Sequence, residues 1–373
     1  MKYCTRCLMP DTKFGLTFDR DGVCAACRTH ERKKNALDGI DWQERGDAFE
    51  ILVDEARAVR APYYDALVPV SGGKDSLTQL HRLLERGLRV LAMNVDYGIK
   101  TDVGRKNLEL VPRMGANLFI FRPDLRLHRR LVRIGFEDYG DPDLMSHVLL
   151  YAAPLHTALR FSIPLVLLGE NAAFEYGGDQ RVAEHDGVNE RWFLHCVTNS
   201  GVDAPAISRR YGIPMENLRM YEYPGELAGS ATRVRFMGSY FRWDSEEHLR
   251  IARTHGFETL PGSSEGTYRT YVGIDEKINR IHQYMKVLKL GYGRATDHAC
   301  EDIRAGRLTR EQARPLVRRH DLEPLSSYYV DDFLEFIGMD RERFDEVMES
   351  YRNRDVWHQG ADGNWEIRGH LED

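Results

Sequence analysis

Hydrophobic and polar positions follow two alternating patterns between residues 64 and 171. Short apolar runs are separated by longer stretches in which apolar residues recur every three or four positions. The run Ala66–Val70 reads as a strand, and the leucines at 77, 80, 83, 84 and 88 after it mark a helix. Arg89–Val95, ending at Asp96, is a second strand, and Thr101–Met114 a helix with Thr101 or Asp102 as its cap. Leu118–Phe121 is a third strand. Leu144–Phe161 reads as a long helix that Pro154 should kink. A fourth strand, Ile163–Leu168, ends at Gly169-Glu170-Asn171. Repeated β-α units predict an α/β fold, a parallel sheet with helices on both faces. Ligands of such sheets lie outside the carboxyl ends of the strands. That rule sets Val70-Ser71, Asn94–Asp96 and Gly169–Asn171 along one rim, where the sequence concentrates its polar groups. Pro69 is the awkward residue, because it cannot donate to a sheet ladder.

On either side the pattern changes. Residues 1–30 are cysteine-bearing and turn-rich, and 31–61 are charged, with Phe49, Leu52, Val53 and Ala56 at helical spacing, as in a connecting helix. A nucleotide domain is expected over 62–265, including a less regular insertion after Asn171 that contributes to substrate binding. A mainly helical region over 266–373 is expected to complete the site. Within the insertion, Arg233–Trp243 interleaves basic and aromatic residues. Such a stripe could stack on bases or hold a charged sugar nucleotide; an amphipathic strand with alternating faces explains it equally well. Further on, Tyr271–Asn279 leads into a helix through Leu290, and Tyr329–Tyr351 also reads as helical.

Composition narrows the class. With 42% apolar and 29% charged residues over 373 positions, the chain has ample material for a core. No apolar run is long enough to span a bilayer, and Met1–Arg6 lacks the apolar core of a signal peptide. A cytoplasmic protein without a membrane partner is the expectation. A net charge of −6 argues against a broad nucleic-acid footprint. Four of the six cysteines form a pattern, Cys4-x-x-Cys7 and Cys24-x-x-Cys27, separated by 16 residues. The spacing fits two knuckles closed on one tetrahedral Zn²⁺, a structural site. Disulfides and a redox CxxC pair are the alternatives. A reducing cytosol weighs against the first, and the lack of a thioredoxin-like βαβ pattern against the second.

The strongest chemical signal is Val70-Ser71-Gly72-Gly73-Lys74-Asp75-Ser76, set between strand and helix. Bare backbone N–H groups and a positive helix end suit a phosphate, and glycine lets the backbone approach the anion. Ser71 and Ser76 add hydroxyl donors, Lys74 a point charge, and Asp75 a ligand for Mg²⁺. Walker A spacing is absent. The segment resembles the SGGxDS signature of the PP-loop ATP pyrophosphatases, which hold ATP and release pyrophosphate (PPi). Asp96 is then a candidate adenosine contact, Glu170 a second Mg²⁺ ligand, and Lys286 and Lys289 candidates to neutralise departing PPi.

Taken whole, the chain resembles the N-acetyl sugar amidotransferase family of surface-glycan (lipopolysaccharide, O-antigen) biosynthesis. The resemblance rests on the four-cysteine ribbon, VPVSGGKDS at 68–76, GENxxxEYGG at 169–178, YVGIDEKIN at 271–279 and GYGRATDHACEDIRAG at 291–306. The first two features are shared with other PP-loop proteins; the last three single out the family. Some relatives carry cysteines in the helix before the fourth strand, where this chain has Tyr151–His156. The resemblance implies an ATP-dependent carbon–nitrogen ligase. The acetamido oxygen of a sugar or nucleotide sugar attacks the α-phosphorus of ATP, PPi leaves, and ammonia displaces AMP to give an acetamidino sugar. Val70–Ser76, Asn94, Asp96 and Gly169–Asn171 would hold Mg²⁺-ATP. Lys74, Asp75, Glu175, Arg294 and Asp297 would be the catalytic group, the last three by sugar contact or proton transfer. Position 2 is Lys2 rather than cysteine, and Cys196 and Cys300 lack the surroundings of a nucleophile. A separate glutaminase with a cyclase-like subunit is therefore the expected ammonia source. The competing readings are a tRNA-modifying PP-loop enzyme, a thiolase or lysidine-type ligase, and a non-catalytic nucleotide-binding module.

Overall fold

A computed structural model describes residues 1–34, 39–176, 185–198 and 201–371. Five strands form one wholly parallel sheet: β1 (Ala66–Pro69), β2 (Val90–Val95), β3 (Asn117–Phe121), β4 (Leu165–Leu168) and β5 (Arg233–Phe236). Their order is β3-β2-β1-β4-β5, so β1 lies at the centre and the chain reverses its winding there. Period-two alternation divides the strand side chains between two cores. Leu67, Leu91, Met93, Val95, Val166 and Leu168 join the cluster that contains helices Leu125–Tyr139, Leu144–Arg160, Ile278–Leu290 and Ser327–Ile337. Ala66, Val68, Ala92, Leu165 and Leu167 pack with helices Trp42–Ala58, Lys74–Glu85 and Ser245–Thr254. Leu77, Leu80 and Leu83 are fully buried on that second face; truncating any one to alanine should cost roughly 2–5 kcal/mol.

Pro69 causes no loss in the central strand. Val70 N–H bonds Met93 O at 2.8 Å, so the neighbouring Pro69 nitrogen faces β4, where the ladder ends at Leu67–Val166. The Arg233–Trp243 stripe begins as a strand: Val234 and Phe236 enter the core, while Arg233 pairs with Glu55 and Arg235 with Asp186.

Local chemistry explains where predicted helices divide. Thr101 caps the helix after β2, its Oγ1 accepting from Gly104 N at 2.9 Å. The expected 101–114 helix splits into Asp102–Leu108 and Leu110–Arg113. Pro112 cannot donate to Leu108, and its ring crowds that carbonyl. The helix 144–160 instead runs through Pro154 as one element. The expected 329–351 helix ends at Gly338, in left-handed conformation with φ 64°, and a new one starts after Asp340, whose carboxylate accepts from Arg343 N. The charged 31–61 segment holds the end of one helix, Ala25–Lys34, and a second, Trp42–Ala58, capped by Asp41. Phe49, Leu52, Val53 and Ala56 of the second are all buried in the sheet-face core.

The four cysteines share a third cluster with Leu8, Met9, Tyr292, Cys300, Ala313 and Val317. The ribbon is thus packed onto the C-terminal helices, and a short hairpin, β6 (Trp357–Gln359) with β7 (Trp365–Ile367), lies near the end of the chain. Among the described residues no helix is long and apolar enough to cross a membrane.

Candidate active site

The loop between β1 and the helix Lys74–Glu85 has the shape its sequence implies. Gly72 has φ +91°, and a Cβ there would stand 2.9 Å from Gly104 O, so both conformation and space require glycine. Gly73 N donates to Ser71 Oγ at 3.2 Å, and Ser76 Oγ donates back to Gly73 O at 2.9 Å. Lys74 is only 4% exposed, and its ammonium bridges both oxygens of Asp75 at 2.9 and 2.7 Å. Asp75 Oδ1 also lies 2.7 Å from Nδ1 of the fully buried His248. Burial pushes the Asp75 carboxyl up, but Lys74 and His248 outweigh it and hold the group well below the usual carboxylate range.

A cavity of about 360 Å³ opens at the carboxyl ends of the strands. Val70, Ser71, Asp75 and Ser76 line one side, Asn94 and Lys100 another, and Gly169 and Glu170 a third. Two buried acceptors on its wall, Asn94 Oδ1 and Gln79 Oε1, have no hydrogen-bond partner among the described residues. Buried acceptors are normally satisfied, so these two fit a ligand that brings donors, as the adenine of ATP does.

A second cavity, of about 430 Å³, shares Asp75 and Glu170 with the first and has Lys74 in its own wall. Its other walls carry Lys13, Arg269, Lys286 and Arg294, with Asp297, Glu301, His282 and His298, and the rings of Tyr176, Trp243 and Tyr292. Glu170, at the junction, has its carboxyl pushed up to about 7, first by burial and then by the Asp75 charge. Two carboxylates that repel each other in this way suit a cation between them, so both residues fit the Mg²⁺ expected there. His282 Nδ1 lies 2.8 Å from Asp141 Oδ1; burial lowers the imidazole, and Asp141 outweighs it to leave the pKa raised.

Residues 265–370 match the family model described as LPS biosynthesis protein WbpG-like, C-terminal domain. Both YVGIDEKIN and GYGRATDHACEDIRAG fall inside the match, which agrees with the family resemblance drawn from them. This WbpG-like region also supplies Arg269, His282, Lys286, Arg294, Asp297 and Glu301 of the second cavity. Among solved structures, NMN synthetase from Francisella tularensis is similar at 10% identity and TM-score 0.36, over 82% of this chain and 96% of that one. NAD⁺ synthetase from Burkholderia pseudomallei is similar at 15% identity and TM-score 0.28, over 69% and 91%. No curated protein matches the sequence.

Several residues singled out in the sequence lie away from these cavities. Asp96 pairs with Arg122 and Lys100 and is absent from the first cavity's wall. Asn171 turns its side chain to Ala173 N and His185 O at the start of a short helix. Glu175 is taken by Lys33 of the ribbon helix at 2.5 Å and faces a separate small pocket, so it does not reach the second cavity. Asp297 does reach it, held by Lys286; burial raises its carboxyl, and Lys286 and Lys13 outweigh that and lower it. Arg294 also lines the second cavity. Lys289 instead donates to Gly140 O at 2.7 Å. Gly177 and Gly178 of the GENxxxEYGG motif lie outside the described residues.

The cysteine ligand atoms lie within 4.8 Å of one another. Cys4 and Cys27 sulfurs are 3.9 Å apart, and those of Cys7 and Cys24 3.7 Å. Four thiolates about 2.3 Å from a tetrahedral zinc would stand roughly 3.8 Å apart, so the cluster fits that ion. Backbone N–H groups of Arg6, Cys7 and Cys24 donate to Cys4 Sγ at 3.3–3.5 Å, as a thiolate would require.

Sequence reasoning missed Lys13, His248 and His282. Lys13 sits in a polar turn of the ribbon, and His248 in a stretch with no assignable periodicity. His282 lies on a helix that was expected, at a position no spacing distinguished.

Proposed function

We propose that this protein is an ATP-dependent amidotransferase of lipopolysaccharide biosynthesis, turning an acetamido group of a nucleotide-activated sugar into an acetamidino group. The observation that supports this most is that two cavities meet at Asp75 and Glu170, with Lys74 beside them. One has the strand-end setting of a nucleotide site and the other the charged walls of a polar acceptor. An amide carbon is a poor electrophile with a poor leaving group. Transferring AMP to its oxygen converts that oxygen into a phosphate ester, and nitrogen can then displace it.

Such a reaction needs the α-phosphorus at the junction and the acetamido oxygen facing it. Positioning of that kind supplies much of the barrier reduction in phosphoryl-type transfers. Ser71 Oγ, which accepts from Gly73 N, keeps its own proton to offer a phosphate, and Lys74 would neutralise charge building on the leaving pyrophosphate. Mg²⁺ held by Asp75 and Glu170 would add charge neutralisation at the same point. His282, seated on Asp141, is placed to take the proton that nitrogen sheds as it adds to the imidate carbon. Ammonia is expected from a separate glutaminase partner. Cys300 is buried in the core beneath the ribbon, and Cys196 is exposed at the end of helix Glu190–Cys196.

The experiment is an assay with Mg²⁺-ATP, ammonium chloride and a panel of acetamido nucleotide sugars. AMP and PPi should appear together with one sugar, and mass spectrometry should show a carbonyl oxygen replaced by NH. PPi release driven by tRNA and by none of the sugars would overturn the reading.

A further inference from the structure

The ribbon reaches into the second cavity. Lys13 lies between its two cysteine pairs, and the segment is anchored by Thr12 Oγ1, which donates to Leu290 O at 2.7 Å. Arg310 donates to the carbonyls of Cys4 and Cys7 and fastens the first knuckle to the C-terminal helices. Lys13 Nζ donates to Tyr176 O at 2.9 Å, which uses one of an ammonium's three protons. Neither an ion pair nor a second hydrogen bond joins it to another described residue.

Arg294 is the second cation in this state. Its guanidinium lies over Gly273, where a Cβ would stand 2.4 Å from Nη1, so the absence of a side chain there makes its seat. Among the described residues it makes no ion pair or hydrogen bond. The other lysines and arginines of the cavity each have a carboxylate: Lys74 has Asp75, Arg269 has Glu301, and Lys286 has Asp297. Burial depresses the pKa of both Lys13 and Arg294, the cost of holding charge away from water, although Asp297 near both, and Asp275, Glu276 and Asp143 near Arg294, offset part of it. A ligand with negative oxygens would offset that cost. The rings of Tyr176, Trp243 and Tyr292 in the same walls offer surface for a base or a sugar.

We propose that Lys13 and Arg294 together grip the phosphate oxygens of a nucleoside-diphosphate acceptor, which makes the zinc ribbon a wall of the acceptor site. The proposal rests on the acceptor reading given above and identifies the ribbon residue that would recognise it. It also gives the four cysteines a functional consequence: a metal held by them would fix the turn that carries Lys13.

The test uses full-length, zinc-loaded protein with Mg²⁺ and a non-hydrolysable ATP analogue in the first cavity, into which UDP is titrated by calorimetry. UDP should bind the unaltered protein. Lys13→Met should weaken it about tenfold or more, as expected for loss of one hydrogen bond to a charged group. Lys13→Arg should recover most of the affinity, and Arg294→Gln should lose as much as Lys13→Met. Affinity for the ATP analogue and the zinc-to-protein ratio should stay unchanged in Lys13→Met. Unchanged UDP affinity in that variant, equal weakening of the ATP analogue, or no UDP binding to the unaltered protein would each overturn the proposal. The titration needs no turnover. Failure of the amidotransferase reading would appear instead as missing sugar product in the assay, whatever UDP does.

Discussion

The two cavities are built in opposite ways. The walls of the first come largely from the carboxyl ends of adjacent parallel strands: Val70 and Ser71 after β1, Asn94 on β2, Gly169 and Glu170 after β4. The second is assembled from segments far apart in the chain: Lys13, Tyr176, Trp243–Ser245, Arg269–Val272 and His282–Glu301. Topology constrains the first, because a parallel sheet gathers its strand ends on one rim. Nothing comparable constrains the second, whose walls can vary without disturbing the sheet. Specificity is expected where the walls are free to vary.

The sharpest way to break this comparison is at the junction both cavities share. Asp75→Ala should lower PPi formation by about a hundredfold to a thousandfold while circular dichroism stays unchanged; retained turnover would remove Asp75 from the reaction. The ribbon comes next. Cys24→Ser should lower zinc content and, by loss of metal-coupled folding energy, cost more than about 3 kcal/mol. What turnover remains should show a larger rise in KM for the acceptor than for ATP. An unchanged zinc-to-protein ratio would contradict the metal site.

The same contrast governs what could be read beforehand. The strand-end residues were legible because period-two and period-3.6 patterns locate strand ends, and the rim follows from them. Asp96 shows the limit: it ends β2 as expected, yet Arg122 and Lys100 draw it into ion pairs at the sheet's flank. Glu175 shows a second limit, since its partner Lys33 lies 142 residues earlier and no local spacing connects them. Lys13 and His248 were invisible for the same reason. Their roles depend on which surfaces the ribbon and the helix Ser245–Thr254 meet, and that is decided by tertiary packing. Helix breaks at Pro112 and Gly338 had local signals.

Smaller effects sharpen the distinction further. Glu175→Gln leaves Lys33 without its counter-charge and should cost about 1–3 kcal/mol of stability, measured by denaturant unfolding, with KM for the acceptor unchanged. A raised acceptor KM without loss of stability would return Glu175 to the substrate site. A pH dependence is expected from Glu170, whose folded carboxyl sits at about 7 against an ordinary 4.5. Between those values the folded chain keeps a proton the unfolded chain has released, so stability falls as pH rises through that window and levels off above it. Melting of the metal-free protein should follow this slope, and Glu170→Gln should flatten it. A slope that survives the substitution would assign it to another group.

The central claim is that an acceptor in the second cavity attacks ATP held in the first. An acetamido sugar carrying heavy-isotope oxygen in its amide, turned over with Mg²⁺-ATP and ammonia, tests this most directly. The account predicts that the label appears in the phosphate of AMP, because the amide oxygen leaves with the adenylate. Label found in PPi or inorganic phosphate, with none in AMP, would contradict it.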